Sequence, residues 1–151
     1  MTSEPQGLLL MQHLGQTYRT LQSAFSRQVG HALPRWRILF ALYEQGETSQ
    51  KALAIRCHLD PASLTRLLQA MQKQGWIERA IDPHDNRLTL ASLTADGRTV
   101  VESALPQRAA FFRALLDGLS GDQVDALNDT LSRLEDNAAR IAGPATPSDP
   151  T

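Results

Sequence analysis

Apolar residues recur every three or four positions along most of the chain, which is the period of an amphipathic α-helix. A first stripe predicts a helix that ends near Gly30. A second predicts a helix that opens at Pro34 and stops at Gly46. The first stripe consists of Leu10, Leu14, Tyr18, Leu21, Phe25 and Val29, and the second of Trp36, Leu39, Phe40 and Tyr43.

A third, short helix is predicted after Thr48 or Ser49, because both residues are suitable N-caps. Its buried positions are Leu53 and either Ile55 or Cys57.

A fourth helix has the clearest start. Asp60 can accept hydrogen bonds from free backbone N–H groups, and Pro61 fits the first helical position. The helix runs towards Gly75 and carries the apolar residues Leu64, Leu67, Leu68 and Met71. Together with the third helix it predicts a helix-turn-helix, and two surface helices of a bundle are the alternative.

The apolar period changes from 3.6 to 2 after Gly75. The segments WIERAI and RLTLASL alternate as strands do, and DPHDN between them contains turn-forming residues. A β-hairpin directly after a helix-turn-helix is the order of a winged helix.

Two further helices complete the pattern. Thr94 caps a fifth helix, in which Pro106 predicts a kink or a break. Ser120 and Gln123 form a capping box for a sixth, whose apolar residues are Val124, Leu127, Leu131, Leu134, Ala138 and Ile141. One subunit can hardly bury the stripes of the first, fifth and sixth helices, so we expect a homodimer, with an intramolecular bundle as the alternative.

Composition narrows the class of protein. The 151 residues are 42% hydrophobic and 21% charged, and the longest apolar run near the start, Leu8 to Met11, is too short for a signal peptide or a membrane span. We therefore expect a cytoplasmic protein without membrane association. The single cysteine, Cys57, excludes a disulfide within one chain. The net charge of −1 gives no overall sign of nucleic-acid binding, although residues 35–98 carry nine Arg or Lys against seven Asp or Glu.

An enzyme is not supported. The four histidines, His13, His31, His58 and His84, are scattered, no serine lies in a nucleophile-elbow pattern, and no glycine-rich loop follows a strand. We expect no catalytic residues, no metal site and no cofactor.

The fourth helix and the hairpin carry candidate DNA-binding residues. Hydroxyl, amide and cationic groups on the exposed face of a helix suit base edges and phosphates in a major groove, although polar residues are the default on any soluble helix. In the hairpin, Arg87 suits a narrow minor groove, and Asp82 and Asp85 are expected to orient it. The candidates are Ser63, Thr65, Arg66, Gln69 and Lys73 in the helix, with His84, Asn86 and Arg87 in the hairpin.

The segment from Leu59 to Arg98 resembles the core of the MarR family of multiple-antibiotic-resistance-type transcriptional regulators. The likeness includes the D-P-x-D-x-R pattern from Asp82 to Arg87 and the L-T-x-x-G pattern from Leu93 to Gly97. Many members have a second arginine where this chain has Asn86, and one fewer charge is expected to weaken the grip of the hairpin on DNA.

The resemblance implies a fold and a function. The fold class is mainly α (α+β), a winged helix-turn-helix at 34–97 with dimerisation helices at 8–33 and 98–142 and flexible termini at 1–7 and 143–151, all in a single chain of residues 1–151. The function is a homodimeric repressor of a catabolic, efflux or stress operon that binds a palindromic operator in double-stranded DNA.

The resemblance also implies a small aromatic carboxylate or phenolic effector in the crevice between the dimer helices and the winged helix. Trp36, Phe40, Phe111 and Phe112 are candidate walls, and His13, Tyr18 and Arg19 are candidate polar contacts. The sequence leaves two alternatives open. One is a redox switch through Cys57, whose position favours a buried packing thiol. The other is a winged helix that binds only proteins.

Overall fold

The computed structural model describes residues 4–143, and it is mainly helical with one small antiparallel sheet. The described residues fall into two compact units, one up to Phe112 and one from Arg113 onwards. The elements in chain order are α1 (Glu4–Val29), α2 (Leu33–Gln45), β1 (Thr48–Ser49), α3 (Gln50–Cys57), α4 (Pro61–Lys73), β2 (Ile77–Ile81), β3 (Thr89–Leu93), α5 (Ala95–Leu115) and α6 (Gly121–Ala142).

The first two helices end where glycines were predicted to stop them. Gly30 adopts a positive φ of 82° and donates its N–H to the Ser26 carbonyl, which closes α1. Helix α1 starts at Glu4, so part of the segment 1–7 that was predicted as a flexible terminus is helical. Pro5 lies in the first turn, where no intrahelical N–H donor is needed, so it does not prevent the helix. Residues 1–3 and 144–151, which belong to the predicted flexible termini, lie outside the described residues.

The helix-turn-helix follows the predicted caps. The Ser49 hydroxyl accepts the Ala52 N–H at 3.1 Å, and an Asp60 oxygen accepts the Ser63 N–H at 2.9 Å. Leu53 and Cys57 are buried in α3, whereas Ile55 is 70% exposed. Of the two residues that the sequence left open as the second buried position, Cys57 is therefore the buried one.

A three-stranded sheet in the order β1-β3-β2 contains the predicted hairpin. In its register Ile77 faces Leu93 and Ile81 faces Thr89. The short strand β1 was not predicted, and it pairs with β3 through Thr48 opposite Ala91.

The core of the winged helix lies between α2, α3, α4 and the sheet. Its fully buried side chains come from every one of these elements. The buried face of α4 therefore packs on the core, which holds the opposite, exposed face in a fixed position. They include Ile38, Leu39, Leu42, Leu53, Leu64, Leu68, Met71 and Ile77.

Of the two predicted effects of Pro106, a kink or a break, the break is not found. Pro106 lies inside α5 without dividing it into two pieces, since a proline removes only one backbone hydrogen bond and Val101, Ala104 and Phe111 hold the helix by burial. The predicted capping box of α6 is present, with Ser120 and Gln123 bonded in both directions. No residue of α6 is buried in the single chain.

Within the part of the chain that the structure describes, none of the helices has the length and apolar character needed to cross a membrane.

Candidate nucleic-acid interface and effector cavity

The N-terminus of α4 carries a linked set of polar side chains. Besides capping the backbone, Asp60 accepts the Ser63 hydroxyl at 2.6 Å through its second carboxylate oxygen, Oδ2. The Ser63 hydroxyl in turn accepts a hydrogen bond from the Arg66 guanidinium at 3.2 Å. The bonds from the Ser63 hydroxyl and backbone lower the pKa of Asp60, so its carboxylate is ionised at neutral pH. Asp60 therefore positions Arg66 indirectly, through the hydroxyl group of Ser63.

The other candidates on α4 differ in what they can offer to DNA. Arg66, Gln69 and Lys73 are exposed and, at steps of three and four residues, they share one face of the helix. Thr65 is half-buried, and its hydroxyl donates to the Pro61 carbonyl at 2.9 Å. The exposed face thus presents a guanidinium, an amide and an ammonium group.

The tip of the hairpin contains the ion pair that the sequence predicted. Nε and Nη2 of Arg87 donate to the two Asp85 oxygens, each at 3.0 Å, while the Arg87 side chain remains 85% exposed. These hydrogen bonds lower the pKa of Asp85 and raise that of Arg87, so both groups stay charged through mildly acidic pH. The guanidinium is held in a fixed direction and faces solvent.

Backbone bonds fix the loop that carries this pair. The Asp82 carboxylate accepts the N–H of His84 at 2.7 Å, and the backbone N–H of Asp82 donates to the Leu88 carbonyl at 3.0 Å. Asp82 therefore shapes the loop, and it contacts the backbone rather than Arg87 itself. His84 and Asn86 are exposed beside Arg87.

A cavity of about 440 Å³ lies beside α2 and α5 in the first unit. Three of the predicted aromatic residues line it, namely Trp36, Phe40 and Phe112. The fourth, Phe111, is 8% exposed and packs edge-on against Phe25 with ring centres 5.2 Å apart, so it belongs to the core. The predicted polar contacts His13, Tyr18 and Arg19 lie exposed on α1, and none of them lines this cavity.

Five polar residues that were not predicted from the sequence line this cavity, and Arg108 is the one that lies over its aromatic rings. The others are Arg37, Glu44, Arg56 and His58. The guanidinium carbon of Arg108 lies 4.2 Å from the centre of the Phe40 ring and 5.3 Å from that of Phe112. No acidic side chain within the described residues forms an ion pair with it. The spacing of four residues between Arg108 and Phe112 placed them on one helical face, but their common contact with Phe40 joins parts of the chain far apart in sequence.

Cys57 also lines this cavity, yet it is buried as expected. Burial raises the pKa of its thiol, although the nearby Arg37 and Arg56 act in the opposite direction. A thiol with a raised pKa carries little thiolate at neutral pH.

A packed helix-turn-helix, an exposed polar face on α4 and an arginine at the tip of a hairpin define a winged-helix DNA-binding protein. A sequence model of the MarR family matches residues 32–89, which span α2 to the start of β3. The HTH-type transcriptional regulator YdgJ of Bacillus subtilis is 32% identical over 117 residues, or 78% of this chain and 71% of YdgJ. The chain belongs to the MarR family of transcriptional regulators, which are not enzymes.

Two solved structures show the same fold at lower identity. A mutant of Escherichia coli MarR, complexed with operator DNA, is 19% identical with a TM-score of 0.77, covering 88% of this chain and 99% of that one. BpsR of Bordetella bronchiseptica, whose DNA binding is regulated by 6-hydroxynicotinic acid, is 22% identical with a TM-score of 0.73, covering 84% and 98%.

Proposed function

We propose that the protein is a homodimeric repressor that binds a palindromic operator in double-stranded DNA and is released by a small aromatic acid. The observation that carries the DNA-binding mode is Arg87, which is exposed at the tip of the hairpin and oriented by Asp85. Because such a regulator acts on the genome, we place it in the cytoplasm.

The major groove is assigned to α4. Its buried face packs on the core, so the opposite face is presented as a rigid surface with Arg66, Gln69 and Lys73. Arginine and glutamine suit the acceptor and donor patterns of base edges, while the lysine suits a phosphate.

The minor groove is assigned to the hairpin. A guanidinium has five N–H donors, and the two used by Asp85 leave three for DNA. A narrow A·T-rich minor groove concentrates negative potential and favours an inserted arginine. Asn86 in place of a second arginine, together with the acidic side chains of the loop, makes this a weakly charged contact.

Dimerisation is supported by apolar surface. The N-terminal half of α1 exposes five large apolar side chains, and on α6 Leu127 is 56% exposed and Ile141 87%. Patches of this kind on a small protein mark interaction sites, and a second copy of the chain is the occupant we propose. The exposed residues of α1 are Leu8, Leu9, Leu10, Met11 and Leu14.

The cavity lined by Trp36, Phe40 and Phe112 is the proposed effector site. Arg108 supplies the cation for a carboxylate, since it rests on two aromatic rings without an acidic partner among the described side chains. The regulation of BpsR by 6-hydroxynicotinic acid supports this class of effector. A ligand that prefers the DNA-incompetent spacing of the two α4 helices lowers operator affinity by its differential affinity for that state.

Calorimetry tests the effector proposal. Aromatic carboxylates titrated into the wild-type protein are expected to bind more weakly when operator DNA is present, because the two ligands favour different states. Arg108→Gln is expected to lose carboxylate binding and to keep DNA binding. Equal affinity with and without DNA would contradict the release mechanism.

Selection of bound sequences from random double-stranded DNA tests the operator proposal. We expect an inverted repeat whose half-sites lie roughly 10 base pairs apart, centre to centre, since each α4 of a dimer enters a major groove one turn from the other. A chain that enriches no sequence and shows no salt-dependent affinity for DNA would support a winged helix that binds only proteins.

A further inference from the structure

The four candidate DNA-binding residues near the start of α4, Ser63, Thr65, Arg66 and Gln69, are not equivalent. The hydroxyl groups of Ser63 and Thr65 already donate hydrogen bonds within the protein. The single hydroxyl proton of Ser63 is donated to Asp60 at 2.6 Å, and that of Thr65 to the Pro61 carbonyl at 2.9 Å. While these bonds hold, neither hydroxyl donates to a base. Arg66 and Gln69 remain as the donors on this part of the helix.

We propose that Asp60 and Ser63 are positioning residues that direct Arg66 onto one guanine in each half-site of the operator. This inference rests on the proposed DNA binding through α4. Asp60 holds the Ser63 hydroxyl, whose lone pair accepts Arg66 at 3.2 Å, so the guanidinium is tied to the start of its own helix.

The chemistry of the link explains why it leaves Arg66 able to bind a base. The partner of Arg66 is a neutral hydroxyl, and no acidic side chain of the described residues forms an ion pair with it. Arg87, by contrast, is paired directly with a carboxylate. Arg66 therefore keeps four of its five N–H donors for DNA, since the Ser63 hydroxyl accepts only one of them.

The geometry of the guanidinium explains why guanine is the proposed base. Two parallel N–H groups match the O6 and N7 acceptors of guanine in the major groove, and this is the commonest specific contact of an arginine with DNA. An arginine that is already oriented loses less conformational entropy when it binds, so the link favours the base that accepts two bonds in that direction. Gln69, three residues further along the same face, suits an adenine.

Ser63→Ala separates positioning from helix capping. The Asp60 oxygen that caps α4 accepts the backbone N–H of residue 63, which alanine retains, so only the link to Arg66 is lost. Ser63→Thr keeps a hydroxyl at the same place and is the matched rescue. Asp60→Asn keeps an acceptor for the cap but replaces one carboxylate oxygen with a donor, so it also weakens the link.

The experiment compares the affinities of these variants for the selected operator and for operators in which each guanine is replaced by adenine, by fluorescence anisotropy at fixed salt. For the wild type, replacing one particular guanine in each half-site is expected to lower the affinity roughly 5- to 150-fold. This guanine ratio is the affinity for the selected operator divided by the affinity for the replaced one. Ser63→Ala and Asp60→Asn are expected to reduce the guanine ratio at least about threefold, and Ser63→Thr to retain it. Ser63→Ala is expected to change nothing further in an Arg66→Ala background.

Three outcomes would overturn the inference. The first is an unchanged guanine ratio in Ser63→Ala, and the second is an operator that is insensitive to every guanine. The third is an equal loss of affinity for all sequences together with a lower melting temperature, which would mean that Ser63 only stabilises the helix. Each differs from failure of the proposed function, in which the wild type itself binds no DNA.

Discussion

Gly97 lies where the fifth helix meets the base of the hairpin, and we expect Gly97→Ala to destabilise the winged helix. A Cβ at this position would lie 2.0 Å from the Trp76 carbonyl oxygen and 2.9 Å from its carbon. Both distances are shorter than real Cβ contacts, so the Trp76 backbone has to move by about 1 Å. That carbonyl accepts the Thr94 N–H at 3.0 Å, a bond that the movement breaks.

The cost follows from these two effects. Overpacking against a backbone costs about 1–3 kcal/mol, and a lost hydrogen bond costs about 0.5–1.5 kcal/mol. Together they predict a decrease of roughly 2–4 kcal/mol in the free energy of unfolding and of roughly 5–15 °C in the melting temperature.

Urea unfolding followed by tryptophan fluorescence, at one fixed protein concentration, measures this change. Gly121→Ala is the control, because a Cβ there meets nothing within 4 Å and alanine favours the helix. A decrease in Gly97→Ala no larger than in this control would refute the reasoning from close approach.

Three further predictions concern the switch, the pH dependence and the dimer. Peroxide is expected to leave the operator affinity of the wild type unchanged, because Cys57 is buried with a raised pKa; a loss of affinity that Cys57→Ala abolishes would instead establish a redox switch. Burial, and secondarily Arg35, lowers the pKa of His31, so the unfolded chain binds more protons than the folded one and stability falls as the pH drops below about 6.5. Between pH 7 and pH 5, the free energy of unfolding measured in urea is expected to decrease less for His31→Gln than for the wild type. An equal decrease would mean that other groups cause the pH dependence. Leu127→Glu places a charge on the exposed apolar face of α6 and is expected to raise the dimer dissociation constant at least about tenfold in sedimentation experiments, whereas unchanged sedimentation would exclude this face from the dimer.

The elements that the sequence predicted correctly depend on contacts between neighbouring residues. Asp60 and Pro61 start α4, and Ser120 and Gln123 start α6, because a cap involves residues only three positions apart. The ion pair at the tip of the hairpin is equally local, since its members are two residues apart.

What the sequence could not predict depends on contacts between distant segments or on the direction of a single bond. Strand β1 has two residues, too few to show an alternating pattern, and it exists through its pairing with β3. Arg108 enters the proposed effector cavity because α5 brings it over a ring of α2. The residue type of Ser63 indicated a side chain that contacts DNA, whereas the structure shows that its hydroxyl proton is donated to the Asp60 carboxylate.

The salt dependence of operator binding tests the central claim most directly. Each Arg87 that neutralises a phosphate contributes about 0.9 to the slope of log affinity against log salt, so a dimer with two bound hairpins contributes up to about two. We expect Arg87→Ala to bind the operator more weakly with a slope shallower by about one to two, Asn86→Arg to give a steeper slope, and Arg133→Ala, at an exposed arginine of α6, to leave it unchanged. Equal slopes for Arg87→Ala and the wild type would contradict the assignment of this arginine to DNA.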